Sequence, residues 1–256
     1  MNYKTAVILC GGKGTRLGEL GKKLPKTLVK VQNKPIIWYI LKSLKKNDFN
    51  HFILPIGFKG DQIKKYLKKN KYFKNYKIDV IETGTNSSIA KRIFKIKKYI
   101  RSENFLILNG DAIFHANLNQ IYRDHKIIKR DISFICSDTE ADFGTIGIKK
   151  NKIVDFRRGV DFRSVNTKVK NYEAHVYSGM SIINKKILKE NFKNYDNFEK
   201  DFYPKIINKY NAGIYTLKGF WYAMDNIKDL EMLNKKNINK KIFNKIKNFK
   251  LKYFND

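Results

Sequence analysis

Short apolar runs alternate with amphipathic stretches through the first half of the chain, and that rhythm predicts strands and helices in turn. Ala6–Cys10 predicts a buried strand that runs straight into a glycine-rich loop. Pro35–Lys46 predicts a helix with proline in its first turn. His51–Ile56 predicts a strand, and Asp61–Lys69 a helix whose Ile63, Tyr66 and Leu67 recur at i, i+3 and i+4. Lys77–Ile81, Phe105–Leu108 and Ile132–Cys136 predict three more strands, with helices over Ser88–Ile100 and Leu118–Lys126 between them. This alternation predicts an α/β fold with a Rossmann-like, mostly parallel sheet flanked by helices on both faces.

Past about residue 140 the rhythm changes. Thr145–Ile148, Lys152–Phe156 and His175–Ile183 are strand-like with short connections, which predicts antiparallel additions to the sheet in the C-terminal half. Helices near Lys185–Glu190 and Phe198–Tyr210, a strand over Gly213–Leu217 and a helical region from Asp225 follow. No repeat and no Ser/Gly/Pro-rich linker interrupts the chain, so residues 1–235 are expected to form a single domain. Residues 236–256, rich in Lys, Asn and Phe, are expected to form a basic helix or tail.

Composition changes this picture little. Apolar residues make up 42% of the 256, with 18 Phe and 15 Tyr, enough for a sizeable core. The formal charge of +31, from 54 basic and 23 acidic residues, would by itself suggest a nucleic-acid or membrane-surface binder. Only 8 of those bases are Arg, however, and the Lys residues are spread over nearly every predicted helix beside abundant Asn. A coding sequence poor in G and C yields the same mixture, so neither nucleic acid nor membrane is expected as a partner. The charge still draws anionic substrates at long range. Cys10 and Cys136 sit far apart in apolar runs, and His51, His115, His125 and His175 show no metal-ligand spacing with them, which predicts two buried, reduced thiols. The first apolar run is too short for a secretory leader and no run approaches a bilayer span, so a cytoplasmic location is expected. A homo-oligomer is compatible with this composition.

Candidate chemistry begins where the first strand ends. Gly11-Gly12-Lys13-Gly14-Thr15-Arg16-Leu17-Gly18 places three glycines within four residues. Such a loop lets backbone approach a ligand closely and presents N–H groups to phosphate oxygens. No start position satisfies the Walker A spacing, and the dinucleotide fingerprint meets Leu17 where it requires glycine, so a dehydrogenase reading fails. Arg16, and Lys26 within Leu24-Pro25-Lys26-Thr27-Leu28, are suited to clamp a polyphosphate, Arg by its planar fork and Lys as a point charge.

Two acids stand at strand ends. Asn109-Gly110-Asp111 closes an apolar strand at its C-terminal end, where open α/β sheets place ligands. Gly219-Phe220-Trp221-Tyr222-Ala223-Met224-Asp225 sets another acid just before a helix. Mg2+ takes hard oxygen ligands, typically one or two carboxylates with phosphates and water. Asp111 and Asp225 could meet across the sheet to hold such an ion, and each could equally cap a helix.

Gly-Gly-x-Gly-Thr-Arg-Leu followed by Leu-Pro-Lys-Thr-Leu resembles the signature of the sugar-1-phosphate nucleotidyltransferases, the nucleoside-diphosphate-sugar pyrophosphorylases. Within that family the chain looks most like the glucose-1-phosphate cytidylyltransferases, along nearly all of the first 235 residues. Lys34–Ile40, Ile56–Gly60, Phe143-Gly144 and Gly219–Asp225 carry the likeness further. The resemblance implies an enzyme that joins a nucleoside triphosphate to a small phosphorylated acceptor, with Mg2+ as cofactor, making a precursor of cell-surface polysaccharide. It implies that Arg16, Lys26 and Asp111 are catalytic, that Asp111 and Asp225 bind the metal, and that Gly11, Gly12, Lys13, Gly14 and Thr15 cradle the nucleotide. In such chemistry a phosphate monoester oxygen attacks the α-phosphorus in line and pyrophosphate leaves, and positioning with charge neutralisation suffices.

Glu82–Ile93 resembles the cytidylyl branch's Thr-Gly-x-x-Thr/Ser-x-Thr-Gly-Gly-Arg-Ile/Leu segment, which lies near base and triphosphate. Thr83, Gly84, Ser87 and Arg92 match, whereas Ile89, Ala90 and Lys91 replace Thr-Gly-Gly. CTP is the expected triphosphate, with GTP and UTP as the alternatives. Where the family carries Glu-Lys-Pro, whose Lys holds the sugar phosphate, this chain reads Phe156-Arg157-Arg158-Gly159. Arg157 and Arg158 either bind the acceptor phosphate or are surface bases. Tyr177 and Gly179 stand where the family has a glycine near the acceptor. The Tyr66–Val80 connection is shorter than in the cytidylyl branch, which leaves the acceptor open among a hexose, a heptose and a phosphate that is not a sugar. A relative that binds nucleotide without turnover is the rival, and the retention of Arg16, Lys26, Asp111 and Asp225 speaks against it.

Overall fold

The structure, a computed structural model, describes residues 2–137, 144–158, 173–191 and 195–234. Phe143 and the expected basic tail at 236–256 lie outside these residues. Strand β1 (Thr5–Leu9) leads through the glycine loop into α1 (Gly18–Lys23), and a two-residue pair, β2 (Lys30–Val31) and β3 (Lys34–Pro35), delivers the chain to α2 (Ile36–Lys46). Next come β4 (His51–Ile56), α3 (Gly60–Lys69), β5 (Ile78–Glu82), α4 (Ile89–Ile96) and β6 (Asn104–Asn109). The long strands lie parallel in the order β6-β1-β4-β5.

Helices cover both faces, and the side-chain period of two decides which residue meets which layer. Ala6 and Ile8 join the core shared with Ile37, Ile40 and Leu41 of α2, while Val7 joins the one shared with Ile93 and Ile96 of α4. All three strand residues are fully buried. Each buried Val or Ile contributes about 1.5–3 kcal/mol, and burial on both faces is why the strand reads as one unbroken apolar run.

The second half begins with β7 (Ala112–Ala116) and α5 (Leu118–Ile127), then β8 (Ile132–Ser137), β9 (Gly144–Lys149), β10 (Lys152–Arg158) and β11 (Glu173–Asn184). The sheet turns antiparallel at β11, as the change of rhythm predicts. Met180–Asn184 pair with β6, Glu173–Val176 with β9, and Val176–Ile183 with β8 on the other side. Register shifts between Tyr177 and Met180, and Gly179 sits at that bulge with a φ of +76°. A Cβ there would lie 2.5 Å from Asn109 Nδ2, so the bulge requires glycine.

The expected helix from Phe198 is shorter and wider than the pattern predicts. A single π turn spans Phe198–Phe202 and passes into α6 (Tyr203–Ile206). Pro204 has no N–H to donate to the Lys200 carbonyl and its ring crowds that group, which accounts for the opened turn. β12 (Ala212–Thr216) adds parallel to β8, and β13 (Gly219–Ala223) leads to α7 (Ile227–Asn234). β13 pairs antiparallel with β7, from Gly219 opposite Ala116 to Ala223 opposite Ala112, as a small separate sheet. No helix among the described residues is long and apolar enough to cross a membrane.

A buried polar network ties α5 to the sheet. His125, fully buried, bonds Ser133 Oγ through Nδ1 at 2.7 Å and Asn104 Oδ1 through Nε2 at 3.1 Å, and the Asn184 amide donates to the same Asn104 oxygen at 3.0 Å. Burial, with the Arg130 charge nearby, pulls the imidazole down to about 4 from an ordinary value near 6.5. Between those values the unfolded chain takes up a proton that the folded ring refuses, so stability is lost as pH falls through that window. Urea titrations should therefore show a steeper decline between pH 6.5 and 4 in the wild type than in His125→Asn; equal slopes would remove this role.

Candidate active site

β1 ends on the floor of a cleft of about 620 Å3, walled by Gly11, Gly12 and Gly14 on one side and by Asn109 and Asp111 from the end of β6 on another. Leu17, fully buried, pins the short 3-10 turn Thr15–Leu17 that follows the glycines. Lys13 and Thr15 are exposed on this loop and are not among the residues that line the cleft.

Arg92 lies beneath the loop. Its guanidinium donates to the carbonyls of Gly11 at 2.9 Å, Ile56 at 3.2 Å and Thr85 at 3.4 Å, and to Thr83 Oγ1 at 2.6 Å. A Cβ on Gly11 would lie 2.2 Å from that guanidinium, so any larger residue at the first loop position would have to displace the arginine from its bonds. Burial lowers the arginine's pKa, and neutral acceptors compensate the desolvated charge. Thr83 is fully buried and donates its hydroxyl to Ile56 O at 2.7 Å. Ser87 donates to the Thr83 carbonyl, and Ser88 caps α4 by accepting from the Lys91 N–H at 3.2 Å. Arg92 and Ser87 line the cleft, whereas Thr83 and Gly84 stand behind it as support.

The two acids meet. Lys26 Nζ donates to Asp111 Oδ2 at 2.9 Å and to Asp225 Oδ1 at 2.8 Å, and Arg16 Nη1 reaches Asp225 Oδ2 at 3.0 Å. Neither acid caps a helix. Asp111 runs into β7, and α7 is capped instead by Asn226 and Asp229, each side chain accepting from the other's N–H at 3.1 and 2.9 Å. Asp229 also accepts from the Asp225 N–H at 2.7 Å, while the Asp225 carboxylate turns to Lys26 and Arg16 and lines a small recess beside the cleft. The β7–β13 pairing sets the acids side by side, and the Met224 N–H donates to the Asp111 carbonyl at 2.9 Å.

Burial alone would lower the Lys26 pKa, but Asp111 and Asp225 raise it more, so the net shift is upward and the ammonium stays charged. Its side chain is only 16% exposed, whereas that of Arg16 is 66% exposed, so the lysine contacts carry more energy than the arginine pair. The ammonium marks a point where hard oxygens from two carboxylates converge on a cation. That donor set suits Mg2+, which takes one or two carboxylates and completes its shell with phosphate oxygens and water. No cluster of three or more His, Cys, Asp or Glu forms a closed metal cage among the described residues.

The opposite wall is one that sequence patterns did not single out. Asp196, Asn197, Glu199 and Lys200, at and before the π turn, line the cleft across from the glycine loop. The charged run was visible, but nothing in its spacing says which way a π turn aims it. Gly179 lines two small recesses beside the cleft. Tyr177 lines them too, but its hydroxyl is engaged by Ser181 Oγ at 2.9 Å and Tyr203 OH at 3.3 Å, so it presents ring rather than hydroxyl. Burial pushes that phenol well above its ordinary value. Arg157 and Arg158 belong to β10, opposite Thr145 and Gly144, and their side chains lie outside what the structure describes.

The chain matches the Nucleotidyl transferase family model over residues 5–240. It is 28% identical over 250 residues to the probable glucose-1-phosphate cytidylyltransferase of Bacillus subtilis, covering 90% of this chain and 94% of that protein. It is 30% identical over 206 residues to the D-glycero-alpha-D-manno-heptose 1-phosphate guanylyltransferase of Aneurinibacillus thermoaerophilus, covering 78% and 84%. In fold it is similar to HddC from Yersinia pseudotuberculosis complexed with GMP-PN, with a TM-score of 0.70 at 23% identity over 89% of this chain and 96% of that one. A putative glucose-1-phosphate thymidylyltransferase from Bacillus anthracis in complex with a sucrose gives a TM-score of 0.76 at 17% identity over 90% and 94%.

The shared cation generates a test that needs no turnover. Lys26→Met leaves Asp111 and Asp225 facing each other, which should cost about 1–3 kcal/mol for a half-buried pair. Millimolar Mg2+ should then raise the melting temperature of Lys26→Met more than that of the wild type, and the extra rise should vanish in Lys26→Met/Asp225→Asn. A Mg2+ response equal in all three proteins would separate these acids from any metal.

Proposed function

Since the chain belongs to the nucleotidyl transferase family, we propose that it joins CTP to a sugar 1-phosphate, giving a CDP-sugar and pyrophosphate. The observation that carries this reading is Lys26 held between Asp111 and Asp225 beside the glycine loop. The loop backbone at Gly11, Gly12 and Gly14 receives the triphosphate, and Arg16 and Lys26 place positive charge at its edge. The acceptor's phosphate oxygen is already anionic, so no side chain has to remove a proton before it attacks the α-phosphorus in line with the departing pyrophosphate. Asp111 and Asp225 would hold Mg2+, which when bound neutralises charge that develops on the phosphates.

GTP is the second reading, favoured by the 30% identity to a heptose 1-phosphate guanylyltransferase. The two readings share residues and differ only in the base and sugar they admit.

Four nucleoside triphosphates tested with Mg2+ against glucose 1-phosphate, a heptose 1-phosphate and phosphocholine should release pyrophosphate best with CTP and a sugar ester. Silence in every combination would favour a relative that binds nucleotide without turnover. Asp225→Asn should lower kcat by about 100-fold or more, in the range of lost electrostatic stabilisation, with an unchanged circular dichroism spectrum. Wild-type rates in that variant would remove Asp225 from the metal site.

A further inference from the structure

A second cavity, of about 630 Å3, opens at the far end of β6 from the cleft. The cleft forms where β6 ends, at Asn109, whereas this cavity lies where β6 begins, at Glu103, and where β11 leaves the sheet at Asn184. The length of β6 places the two about 17 Å apart. Five bases line the cavity: Lys97 and Arg101 from the segment after α4, and Lys185, Lys186 and Lys189 from the 3-10 helix that follows β11. One acid, Glu103, stands against them.

In sequence these bases are two stretches of an evenly basic chain, and only the fold gathers them into one concavity. The Lys185 N–H donates to the Glu103 carbonyl at 2.7 Å, which carries β11 one residue past its last pair with β6 and sets the two segments side by side. The side chains are then steered by neutral groups. Lys185 Nζ donates to the Ile100 carbonyl at 2.8 Å, and Arg101 Nη1 donates to the Tyr3 hydroxyl at 3.2 Å. Lys97 Nζ lies over the Phe94 ring, 4.3 Å from its centre. Such partners fix direction without cancelling charge. Lys186 does have an acid, Asp131 at 2.5 Å, but among the described residues Lys97, Arg101, Lys185 and Lys189 pair with none.

Like charges on a concave wall repel one another and focus their field on whatever enters. An anion of more than one charge relieves that repulsion. The Arg101 fork matches two oxygens of one phosphate, and the ammonium groups around it can take the others. The space suits a small molecule better than a nucleic-acid duplex, whose backbone needs a stripe of bases along a face.

We propose that this cavity is a second anion site, separate from the cleft, which binds a small molecule carrying a diphosphate group through Lys97, Arg101, Lys185 and Lys189. The site stands or falls without turnover, so it does not rest on the transfer reading above.

The test is equilibrium dialysis of the full-length protein against labelled pyrophosphate, without Mg2+ and at roughly 150 mM salt, where distant surface charges are screened. Lys97→Gln/Arg101→Gln/Lys189→Gln should weaken one binding event about 10-fold or more, the worth of hydrogen bonds to a charged group. Lys68→Gln/Lys69→Gln/Lys74→Gln removes the same charge from exposed positions at the end of α3 and just beyond it, and should change that event by no more than about twofold. Arg16→Gln/Lys26→Gln should leave the event in place, which separates it from any binding at the cleft. Equal losses in the two triple variants would show net charge alone at work and overturn the inference. A single event that Arg16→Gln/Lys26→Gln abolishes, or no binding by the wild type, would overturn it as well. Should the cavity triple variant lose its circular dichroism spectrum, Lys97→Gln/Lys189→Gln decides by the same comparison.

Discussion

Two carboxylates aimed at one point repel each other unless a cation lies between them, and here that cation is Lys26. Most of the local structure serves this contact. The turn Lys26–Leu28 is anchored by Thr27 and Leu28, both buried, so the lysine between Pro25 and that anchor has little freedom in where it points. Asp111 immediately precedes β7 and Asp225 follows β13 by two residues, so the acids, 114 positions apart in the chain, are brought together by the pairing of those strands, which fixes the spacing that the lysine bridges. Asn226 and Asp229 take over the capping of α7, and without that exchange Asp225 would be drawn to the helix N–H groups. A site built this way is close to electroneutral before any ligand arrives, with two bases against two acids. It can therefore admit a divalent cation together with polyphosphate without a large change in net charge.

Arg92 shows how a site can depend on a charge that is not presented to solvent. Its guanidinium joins the glycine loop, the end of β4 and the segment after β5 from below. The fork of fixed donors suits this task because it satisfies several carbonyls at once, which a single ammonium would not. Glycine at position 11 then follows from the arginine as much as from any ligand, since the loop lies directly on the guanidinium. The resemblance put Arg92 with the nucleotide, and what the geometry shows is a strut bonded to the loop carbonyl at Gly11.

The parallel half of the fold was readable because strands buried on both faces leave unbroken apolar runs. His51–Ile56 has the same ends in pattern and structure, and β1, β6 and β8 differ by a residue or so. The glycine loop, Arg16, Lys26 and the two acids were equally plain as chemistry at strand ends. What escaped the pattern shares one cause: it depends on partners far away in the chain. β7 is five residues that follow a turn and carry no clean period, and its partner β13 is known only from the folded chain. Tyr177 has the residue type of a ligand contact, yet β11 turns its hydroxyl toward Ser181 and Tyr203. The π turn that aims Glu199 follows from Pro204 meeting a helical segment, a local conflict that a hydrophobic period does not register.

The same dependence on direction narrows the question of nucleotide choice. Three residues depart from the Thr-Gly-Gly of the cytidylyl pattern, but the structure does not give them equal weight. Ala90 is fully buried in the core beneath α4, and Lys91 is exposed on its outer surface. Ile89 alone of the three lines the cleft, next to Ser87 and Ser88. A threonine at that position would bring a hydroxyl to the ligand, whereas isoleucine brings only apolar surface. The hydrogen-bonding groups left beside it on the cleft wall are the two serines and backbone, and one hydroxyl contact is worth about 1 kcal/mol when the partner can still reach water and more when it cannot. On the reading proposed above, the departure bears on how strongly a base is preferred, and it leaves untouched Arg16, Lys26, Asp111 and Asp225, to which the proposed transfer is assigned.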